Sequence, residues 1–161
     1  MIKTILRRGR DGVLLATIIA GLASPAWAAM LITSEEAALA PVKVVDGSSR
    51  AVARGPVIEQ VSPAPGAVVT SPFHLVVRFH PRNDVPVALD TATLVYGRAP
   101  LKDITERVDD YMTAAGIDVP SVEAPPGEHW LRVRVRDERL NWTTSWIKIT
   151  VVQQAADAAR N

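Results

Sequence analysis

The stretch GEHWLRVRVRDERLNWTTSWIKITV, residues 127–151, restricts the possible folds more than any other part of the chain. Leu131, Val133 and Val135 alternate with Trp130, Arg132 and Arg134, and after a polar turn Ile147, Ile149 and Val151 alternate with Trp146 and Lys148. Successive side chains of a strand point to opposite faces, so each run has one apolar and one polar face. The two runs predict a hairpin. Their apolar faces meet one core only if paired residue numbers sum to an even value, which puts Trp146 opposite Arg132 or Arg134.

Upstream, the same texture recurs in shorter pieces. VIEQV is a short strand from Val57, and SPAPG is a turn with two prolines and Gly66. FHLVVRF alternates Phe73, Leu75, Val77 and Phe79 against His74, Val76 and Arg78. HPRNDVPVALD is a loop, and TATLVYG (91–97) is a β-branched strand. DITERVDDYM places Ile104, Val108, Tyr111 and Met112 at helical spacing and predicts one short helix or a pair of turns. GIDVPSVEAPPG is expected at a sheet edge, because Pro120 cannot donate to a ladder. Short strands punctuated by Pro and Gly predict an all-β fold, an antiparallel two-sheet sandwich spanning residues 56–152.

The amino terminus carries the three parts of an export signal over residues 1–28: a basic stretch KTILRRGR, an apolar run Val13–Ser24, and AWA at 26–28. Twelve residues at ~1.5 Å rise reach about 18 Å, short of a ~30 Å hydrocarbon core, so cleavage after Ala28 is expected and no stable membrane span remains. Residues 29–55 lack any sustained period and are expected to be a flexible tether, with one helical turn capped by Ser34. Residues 153–161 form a polar tail. The destination is the periplasm or the exterior.

Composition removes several functions. Beyond residue 28 the chain has 14 basic and 16 acidic residues, a net of −2, which argues against nucleic acid as a partner. With no cysteine there is neither a disulfide framework nor a lipid-attachment site. The hydrophobic fraction of 48% supports a core that stands without covalent staples.

The segment PPGEHWLRVRVRDERLN resembles the closing hairpin of bacterial immunoglobulin-like and fibronectin type III-like modules. Gly127, His129, Leu131, Val133, Val135, Asp137 and Asn141 fall at the matching positions. VSPAPGAVVTSPFHLVVRF resembles the first two strands of those modules. The resemblance implies an Ig-like antiparallel sandwich and carries little functional information. His129 stands where the family has Tyr, and Leu140 replaces a turn glycine, which implies a turn without a left-handed residue there.

Candidate sites follow from residue type. Trp130, Arg132, Arg134, Trp142, Trp146 and Lys148 form a surface set read in two ways: cation–π pairs that protect the sheet from aggregation, or a recognition patch for another envelope or extracellular protein. Trp142, within the turn, either plugs the sandwich end or anchors a partner. A glycan stacked on the tryptophans is the alternative ligand. A further alternative is calcium at Asp103, Asp109 and Asp110, although the acidic run lacks the spacing of a calcium loop. His74 and His80 are about 20 Å apart along one strand and cannot share a metal, and His129 has inward parity. No catalytic set, metal or cofactor is expected: there is no cysteine, no GxSxG and no glycine-rich phosphate loop.

Overall fold

The computed structural model describes residues 28–44 and 54–153. Residues 1–27 of the expected signal peptide, residues 45–53 of the expected tether and most of the tail lie outside the described residues. Twelve strands run in chain order: β1 (Ala29–Met30), β2 (Ala40–Pro41), β3 (Val57–Ser62), β4 (Val68–Thr70), β5 (Phe73–His80), β6 (Val87–Tyr96), β7 (Arg98–Ala99), β8 (Lys102–Asp103), β9 (Met112–Thr113), β10 (Gly116–Glu123), β11 (Gly127–Asp137) and β12 (Trp142–Val152). One sheet has the order β1-β10-β5-β3, with β9 also on β10. The other is β4-β12-β11-β6-β8, and β2 pairs with β7. The fold is an all-β sandwich.

Period-two patterning decides what the sheets bury. Phe73, Leu75, Val77 and Phe79 of β5 meet Leu131, Val133 and Val135 of β11 and Ile147, Ile149 and Val151 of β12 in one cluster, every member at most 8% exposed. Each such side chain contributes roughly 1.5–3 kcal/mol of transfer free energy. The β11–β12 register pairs Leu131 with Ile147 and Arg132 with Trp146, the even-sum parity required. DITERVDDYM becomes two 3-10 turns, Thr105–Arg107 and Asp109–Tyr111, with Ile104 and Val108 buried between them and the sheets.

Four expectations are corrected. Residues 29–41 are not a tether: Leu31 and Ile32 are 0% and 1% exposed within the core, and β1 pairs with β10 in parallel. A helix, α1 (Ser34–Ala37), follows, and its cap is Thr33 rather than Ser34. Thr33 Oγ1 accepts from the Glu36 amide while Glu36 Oε2 accepts from the Thr33 amide. Arg107 then clamps this segment, its guanidinium donating to both Glu36 carboxylate oxygens and to the Leu31 carbonyl. This link joins residues more than seventy positions apart, so no local pattern announces it.

Second, β10 is internal. Pro120 falls in the register shift between Val119 and Val122, and between the short stretches where β9 and β1 pair with β10, so its missing N–H costs no ladder bond. Third, β6 starts at Val87, inside the expected loop, because β11 pairs with it as far as Val87.

Fourth, Leu140 is left-handed, at φ 66°. Its amide donates to the Asp137 carbonyl, and Asp137 accepts from both the backbone and side-chain amides of Asn141, so a three-residue loop closes with its last residue forced to positive φ. Glycine relieves that strain. Leu140→Gly is expected to raise stability by about 0.5–1 kcal/mol, since the side chain is 65% exposed and little burial is lost; a urea midpoint unchanged or lowered would contradict this.

The Arg107 hydrogen bonds hold the Glu36 carboxyl down at about 2, against an ordinary value of 4.5 and despite partial burial. A carboxyl depressed in the folded state adds stability above pH 4.5 that disappears as pH falls toward 2. After solvent screening its share is about 1–2 kcal/mol. Glu36→Gln is therefore expected to flatten the acid limb of stability against pH between 4.5 and 2, which denaturant melts across that range measure.

Candidate binding face

The outer face of the β11–β12 hairpin is built by parity. Once Leu131, Val133 and Val135 turn inward, Trp130, Arg132, Arg134 and Arg136 must turn outward, and the register sets Trp130 beside Lys148, Arg132 beside Trp146, Arg134 beside Thr144 and Arg136 beside Trp142. Three of these four cross-strand pairs set an aromatic ring beside a cation. The Arg134 guanidinium carbon lies 3.8 Å from the Trp142 ring centre, with Arg136 5.8 Å from the same ring. Arg132 lies 5.9 Å from Trp146, and the Lys148 ammonium 5.8 Å from Trp130. Each such contact is worth about 0.5–1 kcal/mol at an exposed site.

All six residues singled out from the sequence share this face. Trp142 is not a plug over the sandwich end: it opens β12, 42% exposed, against the arginines. Three participants were missed. Arg136 has the same outward parity as Arg132 and Arg134, a signal that was available. Glu128 pairs with Lys148 at 2.5 Å, a diagonal contact that only the register reveals. Gly97 follows β6, and a Cβ there would lie 3.1 Å from Trp146 Cζ3 and 3.0 Å from the Trp130 carbonyl oxygen, so its bare backbone seats the indole.

The charges are unequally matched. Lys148 has Glu128, and Arg98 donates to the Tyr96 hydroxyl and the Glu128 carbonyl. Arg132, Arg134 and Arg136 form no ion pair among the described residues. The Nε atoms of Arg132 and Arg136 are covered and have no hydrogen-bond partner among them. Burying a donor without a partner costs about 1–3 kcal/mol.

The remaining candidates lie elsewhere. His129 is 1% exposed: Nε2 donates to the Pro125 carbonyl at 2.7 Å, and Nδ1 accepts from the Tyr96 hydroxyl at 2.8 Å. Burial pushes its pKa below 6.5, opposed by the Pro125 bond and reinforced by the Arg98 charge. It therefore sits in the core as a neutral, hydrogen-bonded side chain. On the opposite sheet His74 contacts Asp118 at 2.7 Å and His80 contacts Glu59 at 2.6 Å, each on its own carboxylate.

The three aspartates read as a calcium alternative are not brought together as ligands. Asp103 accepts from the amide and hydroxyl of Thr105, the first residue of one 3-10 turn, while Asp109 and Asp110 are exposed on the second. Among the described residues no three His, Asp or Glu side chains gather as a metal site would require.

These features define a class: an all-β sandwich that presents a flat face of interleaved tryptophan and arginine on one hairpin. No protein-family model and no curated protein matches the chain. Among solved structures it is similar to CopC from Methylosinus trichosporium OB3b, at 14% identity and a TM-score of 0.43, with 62% of this chain and 95% of that chain covered. A likeness of that extent carries no argument about function.

Proposed function

We propose that this protein is an exported, non-enzymatic module of Ig-like type that binds another protein of the cell envelope or extracellular space through the outer face of β11 and β12. The observation that carries the reading is the concentration of three tryptophans and three arginines without internal ion pairs on one hairpin face. Interface centres are enriched in these two residue types, and indole and guanidinium bring large contact area with little rotamer freedom left to lose. Export rests on the three-part leader of residues 1–28, and the Ig-like type on the hairpin motif from Gly127 to Asn141. No helix among the described residues is long and apolar enough to cross a membrane.

The glycan alternative has less support, because the guanidinium of Arg134 already lies over the Trp142 ring where a sugar would stack. The calcium alternative would need Asp103 to leave the bonds it makes to Thr105.

The test is site-specific photo-crosslinking in the source cells. Thr144 is exposed between Trp142 and Trp146, and a photoreactive residue there should give an adduct of discrete mass. The same probe at Val57, on β3 of the other sheet and 42% exposed, should not. Trp146→Ala and Arg132→Ala, shown by melting to be folded, are expected to abolish the Thr144 adduct. Equal adducts from both positions, or none from Thr144, would end this reading.

A further inference from the structure

Resting on the reading of this face as a protein-binding surface, we propose that the partner segment is acidic and extended, carrying carboxylates on alternate residues that Arg132, Arg134 and Arg136 hold as a row. Charge distribution is the first reason. Beyond residue 28 the chain is net acidic, yet the outer face of the hairpin carries Arg132, Arg134, Arg136 and Lys148 against Glu128 alone. A local excess of three positive charges on a net negative chain runs against the average and creates a directed field. On the other sheet Arg78 has a carboxylate partner in Asp118, which His74 also contacts, and His80 contacts Glu59.

Geometry supplies the second reason. The Arg134 guanidinium carbon lies 3.8 Å from the Trp142 ring centre, and those of Arg132 and Arg136 lie within 6 Å of an indole, so each cation is held beside a ring while none of its N–H groups is spent on a carboxylate among the described residues. Because the Nε atoms of Arg132 and Arg136 are covered, the open donors there are the terminal pair, which matches the two oxygens of a carboxylate end-on. Stacking also restricts these long side chains before a ligand arrives, so less freedom is lost on binding.

Spacing is the third. Outward residues of one strand repeat every ~6.6 Å, and so do alternate side chains of another extended chain, so a strand-like acidic segment lying along β11 meets the arginines in register. The segment docks on the face and not on the β12 edge. That edge carries β4 at Thr150–Val152, accepts from Gln60 at the Lys148 carbonyl, and has Gly55 against Asn141 and Thr143. Three arginines on a net negative chain are too few for a nucleic-acid backbone, which is bound through many phosphate contacts.

Trp130, Trp142 and Trp146 report on the site themselves. The purified protein is titrated with the peptide (Glu-Thr)6 while tryptophan emission is followed, with (Lys-Thr)6, an oligothymidylate and heparin run in parallel. The expected result is a saturable shift with (Glu-Thr)6 alone that strengthens as salt is lowered. Affinity should fall about tenfold or more in Arg132→Gln/Arg134→Gln, and measurably in Arg134→Lys, which keeps the charge and loses the fork. Arg78→Gln, on the other sheet, should leave it unchanged, and a thermal melt of each variant excludes unfolding as the cause.

The proposal is overturned by absence of a saturable shift, by undiminished binding in the arginine variants, or by tighter binding of oligothymidylate or heparin than of the acidic peptide. A Thr144 adduct in cells that persists in Arg132→Gln/Arg134→Gln would remove the acidic preference and keep the protein-binding reading. Peptide binding without a cellular adduct would do the reverse.

Discussion

Gly116→Ala is expected to lower the melting temperature by about 12–24 °C, from a cost of about 3 kcal/mol in a domain of this size. Gly116 opens β10 at φ 137°, a region open essentially to glycine alone. It pairs with Arg78 on one side and Thr113 on the other. A Cβ placed there would stand 2.0 Å from the Val77 carbonyl oxygen and 2.9 Å from Arg78 Cα. Both obstacles are backbone of β5, which lies between β10 and β3, so neither can swing aside as a side chain would. Relief would require the β5–β10 ladder to separate where Val77 and Ile117 enter the core. A scanning-calorimetry decrease under 4 °C would show that the ladder yields cheaply and that this account of Gly116 is mistaken.

The second large effect belongs to His129. His129→Ala is expected to cost about 3–5 kcal/mol, because it opens a cavity and leaves both the Pro125 carbonyl and the Tyr96 hydroxyl without a partner. Tyr96→Phe, which strands the Arg98 Nε donor and the His129 Nδ1 acceptor, is expected to cost about 1–3 kcal/mol. The same network predicts a pH dependence.

Folded His129 resists protonation below its ordinary value of 6.5, chiefly because it is buried, whereas the unfolded chain takes up the proton there. The unfolded state then binds more protons, so this contribution to stability is complete above pH 6.5 and declines as pH falls from 6.5 toward the folded value. Denaturant melts at pH 7.5 and 5.5 check it: the wild type should lose more stability between the two than His129→Ala does. Equal losses would mean that His129 carries its proton in the folded protein.

The tyrosine expected at position 129 from the Ig-like resemblance is replaced by a pair. His129 occupies the inward position of β11, and Tyr96, which ends the neighbouring β6 opposite Leu131, supplies the hydroxyl that reaches it. Rings at a 5.8 Å centre distance and a 45° tilt complete the contact. The inward parity of His129 was legible in its period. Its partner was not, since nothing local to GEHW identifies a tyrosine thirty-three residues away.

What the amino-acid order determined by itself was everything that depends on the side-chain period of a strand: the β5, β11 and β12 faces, the even-sum parity that sets Trp146 against Arg132 or Arg134, and the sharing of one outer face by Trp130, Arg132, Arg134, Trp146 and Lys148, whereas the register chose Arg132 and brought Trp142 out of the turn onto β12. Tertiary structure decided what depends on segments distant in sequence. Arg107 captures Glu36 and draws Leu31 and Ile32 into the core, β1 and β9 flank Pro120 and make an apparent edge strand internal, and Gly97 opens the seat for Trp146. The Asp137–Asn141 clamp likewise overrides the reluctance of Leu140 to adopt positive φ. The division has one physical cause. Alternation is imposed by the geometry of each residue and its neighbours, whereas a salt bridge, a bulge or a strained turn exists only when the free energy of the whole packed chain outweighs the local preference it violates.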